Sequence, residues 1–273
     1  MKFITNYYNK PGPGVDPNEP RKKGIKRFFE ILGREFGGFI ILSLYYFLLF
    51  SLSLILFICA DFGILPEYAF IISLVAAIPM GTACCTLVYC ISKMLRDDPE
   101  YIWYDIKKKS AEYFKQSIIP GVLYTAFIYG QVFFWRRFAY GGGELNIGLF
   151  VFEALSLVII GMVAPYIFLQ IAYVDLKLPQ IAKNSFILAF ANLPRSIMGA
   201  LTGNLLWFLF WNMLPASLLA VPLMVLFAFS ISWLLCLMWV WPPVDKQFNI
   251  ENTIRERYDK QLEEKMDDNK DSK

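Results

Sequence analysis

Glu153 is the one acidic residue inside the long apolar stretches of this chain, and no Lys, Arg or Asp joins it there. A carboxylate at membrane depth is costly, so it either marks an ion or substrate path or is held by a hydrogen bond. Gln131 and Asn204, on other apolar stretches, are the polar side chains able to hold it. Beyond Glu153 the chemical inventory is thin. There is no histidine, which removes the commonest general base and metal ligand. Cys59, Cys84, Cys85, Cys90 and Cys236 form no CxxC pair and read as small core residues, with no disulfide framework or metal site implied. The run Gly141-Gly142-Gly143 has neither a preceding strand nor a following Lys-Ser/Thr, so it does not read as a phosphate loop. No Ser/His, Cys/His or paired-carboxylate set is present, and the residues therefore point to a protein that is not an enzyme and needs no cofactor.

The elements that would position these groups are membrane helices. Of the 273 residues 57% are hydrophobic and 17% aromatic, with a mean hydropathy of +0.46. The apolar residues concentrate in runs of about 18 or more, the length a helix needs to cross about 30 Å of hydrocarbon. The reading is an all-α polytopic bundle of about six transmembrane helices, at roughly 36–59, 68–91, 118–135, 147–174, 197–214 and 216–239, with two amphipathic loop helices. Of the 26 Lys and Arg, all but Arg136 and Arg137 fall on one side of this arrangement. That bias predicts a multi-pass protein of the plasma membrane with both termini in the cytoplasm. Trp135, Trp207, Trp211, Trp239 and Trp241 fall at span ends, as interfacial aromatic belts do. Pro79 and Pro165 lie inside spans and predict kinks. Gly199 and Gly203, extended by Ser196, make a small-residue face for close helix packing.

Three regions divide the chain. Residues 1–24 form a Pro/Gly-rich arm, 25–241 the membrane domain and 242–273 a charged tail. At the arm's end Ile25, Phe28, Phe29, Leu32 and Phe36 recur at helical spacing among Lys22, Lys23, Lys26, Arg27 and Arg34. This pattern fits either a basic helix in the interface plane or the start of the first span. Asp98-Pro99-Glu100 predicts a helix start, with Asp98 as the cap. In the helix that follows, Ile102, Ile106 and Tyr113 share a face, Trp103 and Phe114 flank it, and Lys107, Lys108 and Lys109 turn elsewhere. A second such helix opens at Pro179, with Ile181, Ser185, Leu188 and Ala189 on one face and Pro194 beyond its end. The layout of Phe114-Lys115-Gln116-Ser117-Ile118 resembles Leu193-Pro194-Arg195-Ser196-Ile197; a duplicated unit would leave such a match, but one short match does not establish it. Either loop helix can lie on anionic headgroups or dock a partner. The docking candidates are Trp103, Ile106, Lys107, Lys108, Lys109 and Tyr113.

Several of these residues resemble one family. The arm Pro11-Gly12-Pro13-Gly14-Val15, the second span with Pro79 and Gly81, and the run from Leu87-Val88-Tyr89 to Lys93-Met94-Leu95-Arg96-Asp97-Asp98, with Tyr101 and Asp105, resemble the YesL-like family of bacterial multi-span membrane proteins. The resemblance implies a non-enzymatic accessory subunit or partner of a carbohydrate ABC importer, docking on its permease subunits. It brings no catalytic residues. Two other readings of the chain stand beside it: a stand-alone small-solute transporter with Glu153 near the path, and a membrane signalling partner of a sensor kinase.

Overall fold

A computed structural model describes residues 21–98, 101–140, 147–213 and 220–257. These residues form α1 (Ile25–Arg34), α2 (Phe36–Asp61), α3 (Ala69–Ala76), α4 (Met80–Arg96), α5 (Ile102–Tyr140), α6 (Ile147–Tyr173), α7 (Leu178–Ala191), α8 (Leu193–Met213) and α9 (Ala220–Leu223). A π-helical turn over Met224–Ala228 then leads into α10 (Phe229–Phe248). Five segments are long and apolar enough to cross a membrane: Phe36–Asp61, Ala69–Arg96, Ile102–Phe134, Ile147–Tyr173 and Val221–Phe248. The protein is an all-α polytopic membrane bundle.

The expected span at 197–214 falls on α8, which is 21 residues long but carries Thr202, Asn204 and Asn212 among its apolar residues. Five described helices, rather than six, therefore meet the length-and-composition measure. Even so, α8 runs antiparallel along two of them. Ser196 bonds Tyr166 and Asn204 faces Gly161 on α6, while Gly199 faces Val240 and Gly203 faces Cys236 on α10.

The bundle is built around α4. Every residue of α4 except Tyr89 is buried. Lipid is as apolar as leucine, so hydrophobicity alone does not hold helices together in a bilayer; close contact and interhelical hydrogen bonds do. The closest contact is a glycine crossing between α4 and α5. A Cβ on Gly81 would stand 1.9 Å from the Ser117 carbonyl oxygen, and one on Gly121 would stand 2.2 Å from the Gly81 nitrogen. Hydroxyls stitch the remaining helices: Ser43 to Ser230 at 2.8 Å, Ser53 to Tyr129 at 2.7 Å, Tyr166 to Ser196 at 2.9 Å. Gln170 donates to Ser185 at 2.8 Å, tying α6 to α7.

Two prolines behave differently. Pro79 has no N–H to give, and the second span divides there into α3 and α4. Pro165 sits within α6, which continues through it. The first loop helix is not a separate element: it continues without a break into the following span as the 39-residue α5. The second is separate, with Pro179 in its first turn and Ile181, Ser185, Leu188 and Ala189 buried as their spacing predicts. Four of the five cysteines are buried. The proline-rich arm over 1–20, Pro99-Glu100, the triple glycine at 141–143 and the tail from 258 lie outside the described residues, as do the side chains of Trp135, Trp207 and Trp211.

Candidate functional site

The carbonyls that end α4 need partners. The last four C=O groups of any helix have none within it, and the helix dipole leaves them negative. Here Asp97 takes a left-handed backbone (φ 64°), which Asp tolerates better than most residues, and Asp98 N–H returns to Lys93 O at 3.1 Å. Three arginines complete the cap. Arg34 donates to Met94 O at 3.1 Å, Arg27 to Leu95 O at 3.0 Å and Arg21 to Arg96 O at 2.9 Å. All three also pair with the Asp97 carboxylate, at 2.5, 2.7 and 3.3 Å respectively.

This geometry settles the orientation of α1. Arg27 and Arg34 reach the end of α4, and Arg27 and Ile31 are buried, whereas Ile25 and Phe29, and Phe36 at the start of α2, are exposed. The helix is a distinct element, separated from α2 by the non-helical Glu35. Arg21 also reaches Glu251 at 3.0 Å, and Glu251 accepts from the Trp241 indole at 3.3 Å. Thus the segment over 250–257, α1, α4 and α10 share one junction.

A second layer lies beside it. Arg96 pairs with Asp98 at 2.7 Å, donates to the Tyr173 hydroxyl at 2.7 Å, and lies over the rings of Tyr173 and Trp241. Trp241 is buried here, which places it in the junction rather than in an interfacial belt; Trp239 is the exposed one of the pair. Lys93 and Asp105, both buried, pair at 2.7 Å and fix the first turn of α5 to α4. Tyr113 donates to Ala172 O at 3.1 Å, and Gln116 to Leu176 O at 2.6 Å. Asp98, expected to cap α5, is paired with Arg96; the amides at 99–100 that it would cap lie outside the described residues, and α5 is described from Ile102.

The six docking candidates fall into three groups. Ile106 and Tyr113 are buried against the protein's own helices and offer nothing to a partner. Lys109 bonds Glu112 at 2.7 Å and lies over the Tyr89 and Tyr113 rings. Trp103, Lys107 and Lys108 point outward. They are joined by two residues that docking logic passed over: Tyr101 is 72% exposed and Tyr104 61%, beside Trp103 at 70%. The result is an aromatic and basic patch on the first turns of α5, seated on a rigid base.

None of the family models, curated proteins or solved structures compared with the chain matches it. Its chemistry must therefore be argued from its own residues. Within the spans, Gln131 donates to Glu153 and to Ser156, the latter at 2.9 Å, so the carboxylate bridges α5 and α6. Asn204 is elsewhere: it donates to Ala200 O at 2.7 Å on its own helix. Among the described residues no group of three His, Cys, Asp or Glu side chains converges. Ser196, Gly199 and Gly203 all face neighbouring helices of the same chain. The residues that sequence reasoning missed are Arg21, Arg27, Arg34 and Asp97 as a cap, and Gly121 as the partner of Gly81. One signal was within reach: Arg27, Ile31 and Arg34 share the helix face opposite Ile25 and Phe29.

Proposed function

We propose that this protein is a non-enzymatic accessory membrane subunit of a carbohydrate ABC importer, and that it docks on the importer's permease subunits through the start of α5. The observation that carries this reading is the exposed patch of Tyr101, Trp103 and Tyr104 with Lys107 and Lys108, presented by a helix end that Lys93–Asp105 and Tyr113 hold in place. Aromatic anchors of this kind dominate the energetics of protein interfaces, and a pre-ordered patch loses little entropy on binding. The resemblance to the YesL-like family supplies the kind of partner. The reading places this end of the bundle in the cytoplasm of a bacterial cell, in keeping with the distribution of Lys and Arg.

On the same reading α1 lies at the headgroups. Its exposed Ile25 and Phe29, with Phe36 at the start of α2, enter the interface, and Lys23 and Lys26 meet anionic lipid, each lysine contributing about 1 kcal/mol. Purification of the tagged protein in mild detergent, from cells grown on the importer's sugar, tests the partner. Permease subunits should be recovered with the wild type and depleted with Trp103→Ala/Tyr104→Ala; repeated recovery of the protein alone contradicts the proposal.

A further inference from the structure

The outer face of α7 is apolar and exposed. Phe186, Ile187 and Phe190 are 50%, 55% and 51% exposed, and the rings of Phe186 and Phe190 lie parallel with centroids 6.4 Å apart. With Lys183, also exposed, these residues recur every three to four positions and so share one stripe of the helix. The opposite side is committed to the bundle. Ile181, Ser185, Leu188 and Ala189 are buried there, and Gln170 of α6 donates to Ser185 at 2.8 Å.

Two hydrogen bonds set the depth of this helix. Gln170, the partner of Ser185, stands one turn, about 4.5 Å, from the end at Tyr173 of a segment long enough to span the membrane. Ser196, in the first turn of α8, bonds Tyr166, about 10 Å from the same end. Thus α7 runs at the level of the last turns of α6, where acyl chains meet headgroups, and leads into a helix that goes deeper. Leu193, Met198 and Leu201, all exposed, carry its apolar surface onward along α8. Lys177 and Lys183 belong to the half of α7 away from that descent, and Phe186, Ile187 and Phe190 to the half beside it.

We propose that the outer face of α7 binds anionic glycerophospholipid, with phosphate at Lys177 and Lys183 and acyl chains against Phe186, Ile187 and Phe190. Depth, continuity and charge select this occupant. The face lies beside the end of a span rather than out in water, and it joins the exposed apolar surface of α8. A lysine within an apolar stripe suits this level, because its stem lies along the chains while its ammonium reaches the phosphates. From Leu176 to Val244 the charged residues are Lys177, Lys183 and Arg195, with no Asp or Glu. The cationic end of a choline headgroup therefore finds no carboxylate on this segment, whereas an anionic headgroup finds two lysines.

The test places a photoreactive benzophenone amino acid at Phe186, at Phe190 or, for reference, at Leu48, which is exposed on α2. The purified full-length protein is reconstituted in vesicles of equal parts phosphatidylglycerol and phosphatidylcholine, and lipid adducts are identified by mass spectrometry. At Leu48 the two lipids should be captured equally. At Phe186 and Phe190 phosphatidylglycerol should be captured about fivefold more often, the preference that one lysine near an anionic surface supplies. Lys177→Gln/Lys183→Gln changes two exposed side chains and leaves the buried face of α7 intact, and it should return the ratio to that at Leu48. The vesicles hold no importer, so failure here is separate from failure of the docking reading. No lipid adduct at Phe186 and Phe190, capture of a second copy of the chain instead of lipid, a ratio equal to that at Leu48, or indifference to the lysine replacements would each overturn the proposal.

Discussion

Asp97 shows how much one side chain can organise at the residue scale. Burial pushes its carboxyl up, but the bonds from Arg27 and Arg34 outweigh that and hold it below the usual carboxylate range. A lowered folded value means the stabilisation is present above the unfolded carboxylate pKa and is lost as pH falls through the folded one. The difference in melting temperature between wild type and Asp97→Asn, measured in detergent, should therefore persist at pH 7 and pH 5 and close only below about pH 4. A difference that vanished near pH 6 would contradict this. Lys93 and Asp105 pose the other electrostatic case, a buried pair. Removing one partner strands the other charge, so Asp105→Ala should cost about 3–5 kcal/mol, whereas Lys93→Met/Asp105→Leu should recover much of the loss. Equilibrium unfolding of the three proteins measures it; additive losses in the double variant would rule out the coupling.

Helix pairing belongs to the scale of elements. The Gly81–Gly121 crossing brings two backbones together where no side chain fits, so Gly81→Ala should destabilise by about 1–3 kcal/mol or separate α4 from α5. Gly130, on the same α5, has nothing within 4 Å of an added Cβ, and Gly130→Ala should be neutral or mildly stabilising. Equal thermal shifts for the two would contradict the crossing. Here the limits of sequence reading are physical. Hydropathy located the membrane helices because about 30 Å of hydrocarbon imposes a length that composition reveals. The inward face of α7 followed from its periodicity. By contrast, Gly81 and Gly121 lie forty residues apart with no motif between them, and their contact depends on where two helices cross. The independence expected of the 99–117 helix failed for a related reason: a change from polar to apolar composition at Ile118 marks a change of surroundings, and α5 continues through Pro120 and Gly121, which stand just beyond it.

At the scale of the whole molecule, the junction at the end of α4 gathers α1, α4, α5, α6, α10 and the segment over 250–257. The arginines that build it were visible in the sequence as charge. Their role was not, because Arg27 and Arg34 lie 70 and 63 residues from Asp97 and only the folded chain shows that they cap a helix. The distribution of Lys and Arg gives the expectation for sidedness: a cysteine placed at Lys108 should resist a membrane-impermeant maleimide in intact cells and react after permeabilisation. The most direct measurement of the central claim is a photoreactive amino acid at Trp103, crosslinked in living cells, beside the same substitution at buried Ile106. The account predicts that Trp103 captures a carbohydrate importer's permease and Ile106 captures none. Permease capture equal at the two positions, or absent from Trp103, would contradict it.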